Sequence, residues 1–280
     1  MTSARTIVGQ ILKMPILRTI PFRQWREVWR EGSATKRGGN TDFIWPTATI
    51  SATPQPHSNP LREFFNNRKQ GRGIWKWNHY FDIYDRHFRQ FRGQEVHVLE
   101  IGVYSGGSLD MWRNYFGPKA TIYGIDIAPE CRVYENDGIK IFIGDQGDRS
   151  FWRRFRRMVP TLDIVIDDGG HMPEQQIVSL EELLPFLRPG GVYFCEDVHG
   201  TYNQFASYVH GLGHKLNDSS QIKDFPDDND RRFFGICTPF QSAVGSIHLY
   251  PFVTVLERNA VPLTELRAPK HGTQWQPFSK

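Results

Sequence analysis

The chain has 280 residues and a mass of 32.5 kDa, with 39% hydrophobic and 23% charged residues, which suits one sizeable globular core and excludes a disordered or low-complexity protein. No run approaches the roughly 18 consecutive apolar residues of a membrane span, and the net charge of +4 is too dispersed for a nucleic-acid face, which would be clustered and interleaved with aromatics. The three cysteines, Cys131, Cys195 and Cys237, lie far apart and fit neither a disulfide framework nor a CxxC metal site, as expected of a cytoplasmic protein.

The first thirty residues combine an apolar face with Arg5, Lys13, Arg18, Arg23, Arg26 and Arg30, and lack the small-residue cleavage site of a secretory signal. Two readings fit: a basic amphipathic helix lying on a membrane surface, or a helix pair covering the domain or a second subunit of a homo-oligomer. Pro15 and Pro21 interrupt any long helix and favour the second. Residues 31–60 turn polar and breaker-rich, with Pro46, Pro54, Pro56 and Pro60, and read as a linker or extended arm. From Trp77 to Phe91, apolar residues recur at i, i+3 and i+4, predicting an amphipathic helix whose stripe of Tyr80, Phe81, Tyr84 and Phe88 faces the core. Trp75, Lys76, Trp77 and His79, just before it, either cover a site or pack into the core.

Residues 96–108, VHVLEIGVYSGGS, read as a strand, a glycine turn and a helix start. The turn is not the dinucleotide fingerprint, because Val103, Tyr104 and Ser105 separate Gly102 from Gly106, where GxGxxG requires an early second glycine. Further strands are predicted in TIYGIDIAP, ending at Asp126, in IKIFIGDQGD, ending at Asp145 and Gln146, in LDIVIDDGGH, and in VYFCEDVHGTY. Between them RSFWRRFRRM predicts a helix with five arginines on a solvated face, and SLEELLPFLRPGG a helix stopped by proline and glycine. GSIHLYPFVTVLERN reads as two antiparallel closing strands around Pro251, and DFPDDNDRR as a solvated loop or lid. Strands alternating with helices imply right-handed crossovers and a doubly wound, mostly parallel α/β sheet of Rossmann-like type. The expected organisation is an N-terminal appendage over 1–72, the α/β domain over 73–258 with an antiparallel C-terminal hairpin, and a tail over 259–280.

In such a sheet the carboxyl ends of the strands share one rim, so Glu100, Asp126, Asp145, Asp167, Asp168, Glu196 and Asp197 are expected to face one crevice. EIGVYSGGSL, YGIDI, GDQ, IDDGGH and EDVHGTY, in this order, resemble the class I S-adenosylmethionine (SAM) dependent methyltransferases. Among these they resemble most the metal-dependent sugar O-methyltransferases of the mycinamicin and rhamnosyl type, over about residues 73–258. The resemblance implies methylation of a hydroxyl of a sugar or other vicinal diol in a natural product, glycolipid or polysaccharide. It also implies that Glu100 and the backbone of Gly102 and Ser105 hold the methionine end of SAM, with Ser108 beside them. Asp126 would then accept the ribose hydroxyls, while Asp145 and Gln146, with Asp167, meet the adenine side.

Asp168, Glu196 and Asp197 form a second group. Three converging carboxylates without cysteine or histidine ligands repel unless neutralised, and a hard divalent cation does this best: magnesium, with manganese or calcium as substitutes. His171, three residues after Asp168, is matched to accept a hydroxyl proton near neutral pH, and His199 is the rival base or a substrate contact. Trp75, Trp77, His79, His199 and Tyr202 are the candidate acceptor contacts. Two other functions remain in view. One is an oxidoreductase similar to the cephalosporin hydroxylases, which would need a two-histidine, one-carboxylate iron site for which only His171 and His199 are near. The other is a non-catalytic SAM-binding scaffold, against which the intact acid trio argues.

Overall fold

The computed structural model describes residues 22–39, 58–200, 202–224, 233–269 and 271–272. The chain forms two compact units, Met1–Pro56 and His57–Lys280. In the first, helix α1 (Phe22–Gly38) runs on through residues 31–38, where the sequence predicts a linker. Glu31, Ala34, Lys36 and Arg37 are good helix formers, and the basic last turn suits the helix C-terminus, so Gly32 alone does not break it. Residues 1–21 and 40–57 of the predicted amphipathic arm and linker lie outside the described residues.

The second unit begins with α2 (Pro60–Asn67) and α3 (Tyr80–Phe88). Its sheet then follows: β1 (His97–Ile101), α4 (Gly107–Phe116), β2 (Thr121–Asp126), β3 (Ile139–Ile143), α5 (Arg149–Met158), β4 (Leu162–Asp167), α6 (Pro173–Leu183) and β5 (Leu187–Cys195). After α7 (Gln204–Leu216) come two short strands, β6 (Ile222–Asp224) and β7 (Phe233–Ile236), a short helix α8 (Pro239–Ala243), and the hairpin β8 (Val244–Tyr250) and β9 (Val253–Arg258). The large sheet has the order β3-β2-β1-β4-β5-β9-β8, with β1 to β5 parallel and β9 antiparallel to both neighbours.

Every residue of the apolar run LDIVID in β4 is buried, as expected for a central strand covered on both faces. Period-two alternation divides β1: Val98 joins the core beneath α3 and α4, with Tyr84, Phe88 and Trp112, while Leu99 joins the opposite core with Trp152, Phe155 and Leu180. Helix α5 buries Phe151, Trp152 and Phe155, and part of its arginine face is paired, Arg149 and Arg156 both reaching Glu182 on α6.

The structure corrects three predicted boundaries. The domain starts before residue 73, because Asn59 caps α2 and Leu61 is fully buried in the same core as Tyr80 and Phe81. The helix expected over 179–191 instead starts at Pro173, a favoured first helical residue, and ends at Leu183; Pro185 cannot continue it, and Leu187–Gly191 open β5. The residues after 258 are not a plain tail, since β10 (Glu265–Ala268) pairs with β7 and β7 with β6 in a small antiparallel sheet. Of the predicted lid DFPDDNDRR, residues 225–232 lie outside the described residues. All three cysteines are free. Among the described residues no helix is long and apolar enough to cross a membrane.

Candidate active site

Three chain segments meet at the carboxyl ends of β1, β2 and β4, and glycine allows the contact. Gly102 has φ +89°, and a Cβ there would run into the carbonyl oxygen of Asp168, so the loop after β1 rests directly on the loop after β4. A Cβ on Gly107 would strike the carbonyl of Gly73, which brings the strap of residues 73–79 across the start of α4. Asp126 fixes the glycine loop from the side: Oδ2 accepts from the amides of Val103 (2.9 Å) and Tyr104 (3.0 Å), and Oδ1 from Ala128 (2.9 Å).

These segments enclose a cavity of about 780 Å³. Gly102, Ser105, Ser108, Asp126 and Asp145 line one part of it, Asp168, His171, Glu196, Asp197 and His199 another, and Trp75 and Trp77 its edge. One continuous cavity of this size suits two small molecules bound side by side.

A buried ring of charge closes the inner end. The Lys76 ammonium lies 2.5 Å from Asp168 Oδ2, 3.0 and 3.1 Å from the two oxygens of Glu196, and 3.6 Å from Glu100 Oε1. Tyr84 donates to Glu196 Oε1 at 2.5 Å, and Gln176 to the Glu196 carbonyl. Burial opposes the charge on Lys76, but Asp168, Glu196 and Glu100 outweigh it and hold the group well above the ordinary lysine range. Burial and the charge of Asp168 push Glu196 upward, against Lys76 and Tyr84.

Nearer the mouth, Asp197 Oδ1 accepts from Tyr80 Oη (2.7 Å) and Trp77 Nε1 (3.0 Å). His171 Nε2 stands 3.9 Å from Asp168 Oδ1 and 3.6 Å from Asp197 Oδ2, and His199 Nε2 lies 3.6 Å from Asp197 Oδ1. His171 and Asp197 both adopt φ +54°, a left-handed conformation that costs on the order of 1 kcal/mol for such residues and turns both side chains toward the cavity. Asp168, His171 and Asp197 offer ligand atoms that all lie within 4.8 Å of one another.

The expected site residues therefore separate into groups. Gly102, Ser105, Ser108, Asp126, Asp145, Asp168, His171, Glu196, Asp197, His199, Trp75 and Trp77 share the cavity. Glu100 does not line it: β1 turns this carboxylate under α4, where Ser108 Oγ (2.7 Å) and Trp112 Nε1 (2.9 Å) occupy its oxygens. Asp167 is likewise interior, accepting from Gln146 Nε2 (3.0 Å) and Tyr193 Oη (2.8 Å), and burial raises its carboxyl to about 6. The Gln146 amide reaches the wall but is engaged by Asp167, Ser179 and the Gly170 amide, so it locks the loop after β4 instead of presenting a free edge. His79 bonds the Pro251 carbonyl at 3.0 Å, and neither it nor the exposed Tyr202 lines the cavity. The sequence places Lys76 among residues that either cover a site or pack into the core, and Tyr80 and Tyr84 in the core; the structure brings all three to the site. The tyrosines lie four apart on α3, a spacing that puts both hydroxyls on one side, and that was the available signal.

A parallel sheet of this order with an antiparallel strand near its edge, a glycine loop after β1 and an acid ending β2 defines a class I methyltransferase fold, and the chain has that fold. It is similar to O-methyltransferases that act on mycinamicin VI, demethylmacrocin and a rhamnosyl tetracenomycin. It is 39% identical over 165 residues to the mycinamicin VI 2''-O-methyltransferase of Micromonospora griseorubida, covering 53% of this chain and 41% of that protein. It is 35% identical over 207 residues to the demethylmacrocin O-methyltransferase of Streptomyces fradiae, covering 66% and 50%. The solved MycE methyltransferase of the mycinamycin pathway, in complex with Mg and SAH, aligns with a TM-score of 0.57 and 30% identity over 73% of this chain and 54% of that one. The chain spans about half the length of these curated relatives. No protein-family model matches it.

Proposed function

We propose that the chain transfers a methyl group from SAM to a hydroxyl of a sugar in a glycoside, with the help of a divalent metal, magnesium first among the candidates. The carrying observation is the single cavity that joins the glycine loop and Asp126 to the cluster of Asp168, His171 and Asp197. Its relatives support the reading: MycE has been solved with Mg, SAH and mycinamycin VI.

The donor set fits both groups. Ser105, Ser108 and Asp126 line the part of the cavity suited to SAM, with Asp145 beyond them. The oxygens of Asp168 and Asp197 fit a hard cation, and Glu100, Asp168 and Glu196 converge on the Lys76 ammonium next to them, so the site is built to hold positive charge. Glu196 would complete the expected trio of metal ligands. Bound SAM supplies an electrophilic methyl group, and a divalent ion lowers the pKa of a nearby hydroxyl.

The remaining work belongs to the protein. His171 lines the cavity with Nε2 3.9 Å from Asp168 Oδ1 and 3.6 Å from Asp197 Oδ2, a position from which an imidazole can take the proton of a hydroxyl bound beside those carboxylates. His171 is thus the general base. His199, packed edge-on against Phe252 with ring centroids 4.6 Å apart, is placed to contact the acceptor. The open faces of Trp75 and Trp77, 88% and 48% exposed, suit stacking on a sugar ring. In the cavity, the cluster of Asp168, His171 and Asp197 holds one histidine, which does not match a two-histidine iron site.

The test is transfer of isotope from methyl-labelled SAM to glycosides with free vicinal hydroxyls, with and without magnesium. Magnesium-dependent labelling is expected. Oxygen consumption without label transfer would overturn the proposal.

A further inference from the structure

All three carboxylates of the expected metal trio are tied to one short segment. Within the strap of residues 73–79, Lys76 takes Asp168 Oδ2 and both oxygens of Glu196, and Trp77 takes Asp197 Oδ1. The Lys76 side chain is 3% exposed, and its ammonium spends its donors on carboxylates, the arrangement that a compact hard cation adopts. Asp168 is shared: one oxygen belongs to Lys76, and the other faces His171 beside Asp197.

We propose that Lys76 is a built-in cation of the acid trio that competes with the divalent metal, so that metal binding displaces the Lys76 ammonium and loosens the strap carrying Trp75 and Trp77. This rests on the metal reading above and deepens it. Three carboxylates left without a counter-ion would repel, so in the absence of metal the ammonium keeps the site assembled. A divalent ion that gathers Asp168, Glu196 and Asp197 needs the oxygens that Lys76 and Trp77 now hold. Because Trp75 and Trp77 edge the cavity, metal occupancy and the shape of the acceptor side are then linked through the one segment that touches both.

Two measurements on the full chain test this. Isothermal calorimetry with magnesium should show Lys76→Met binding at least about tenfold more tightly than wild type, because a competing unit charge has been removed, while Lys76→Arg, which keeps the charge, gains nothing. In wild type, acylation of lysines by an amine-reactive ester, read by mass spectrometry, should be slow at Lys76 without metal and several-fold faster with magnesium. This second readout does not depend on a variant that folds. Equal or weaker magnesium binding by Lys76→Met, or Lys76 labelling unchanged or slowed by magnesium that wild type does bind, would overturn the competition and leave the metal reading intact. Absence of magnesium, manganese and calcium binding to wild type and both variants would remove the metal reading and this proposal with it.

Discussion

Replacing Asp126 with alanine should weaken the fold and the cofactor site together, since its carboxylate holds three backbone amides of two loops. A hydrogen bond to a charged acceptor contributes about 1.5–3 kcal/mol. Two of the three donors can recover much of this from water, because Tyr104 is exposed and Ala128 partly so. The amide of Val103, a residue 2% exposed, would be left without a partner. The expected loss in unfolding free energy is thus about 2–4 kcal/mol, not the sum of three bonds. SAM affinity should fall about 10- to 100-fold in addition, because the same carboxylate faces the cavity. Asp126→Asn, which keeps one oxygen acceptor, should lose roughly half as much stability as Asp126→Ala. Urea unfolding followed by circular dichroism gives the first quantity, and calorimetric titration with SAM the second. Wild-type stability with SAM affinity within about twofold would refute the reasoning, since among the described residues no other acceptor meets these three amides.

His171→Ala should lower kcat by about 10²- to 10⁴-fold with little change in SAM affinity, as read by steady-state kinetics and calorimetry. Gly102→Ala should cost several kcal/mol, on the order of 3 or more, because its Cβ meets backbone at positive φ; denaturant midpoints would show it. Away from the site, Glu257 accepts from His87 Nδ1 (2.7 Å), Ser246 Oγ (2.8 Å) and His248 Nε2 (3.2 Å), and the bond from His87 is foremost in holding its carboxyl down to about 2. A depressed carboxyl stabilises the fold above its ordinary value near 4.5 and loses that contribution as pH falls toward 2. With a third of the side chain exposed, screening reduces the effect to about 1–2 kcal/mol. Glu257→Gln should therefore be less stable than wild type by this amount at pH 7, the gap closing below about pH 4; a gap constant across pH would contradict it.

Much of this architecture was legible because the central strands are buried on both faces and read as unbroken apolar runs ending in acids. The rim rule identified the end of the sheet where the site lies. It could not say toward which face each side chain turns, and Glu100 shows the consequence: period two places it with Val98 on the α3 and α4 side, not in the cavity. Gln146 and Asp167 stand at the right strand ends but satisfy each other, a pairing between residues 21 positions apart that no local pattern encodes. Lys76 stood out only as a residue that either covers a site or packs into the core, and its carboxylate partners were not legible, since they come from β1 and the loops after β4 and β5. Tyr80 and Tyr84 belong to the core, as their spacing predicted, but one atom of each belongs to the site. The small sheet of β6, β7 and β10 escaped notice because strands of three or four residues carry too little alternation to register.

The most direct measurement for methyl transfer assisted by the acid cluster is a single chelation and readdition experiment with labelled SAM and a glycoside acceptor, carried out on wild type and on Asp168→Asn. Chelator should abolish transfer while SAM binding survives, because Ser105, Ser108 and Asp126 lie apart from the acid cluster; magnesium should restore transfer, and Asp168→Asn should need more of it. Full transfer in excess chelator by both proteins would contradict the assignment of Asp168, Glu196 and Asp197 to a metal.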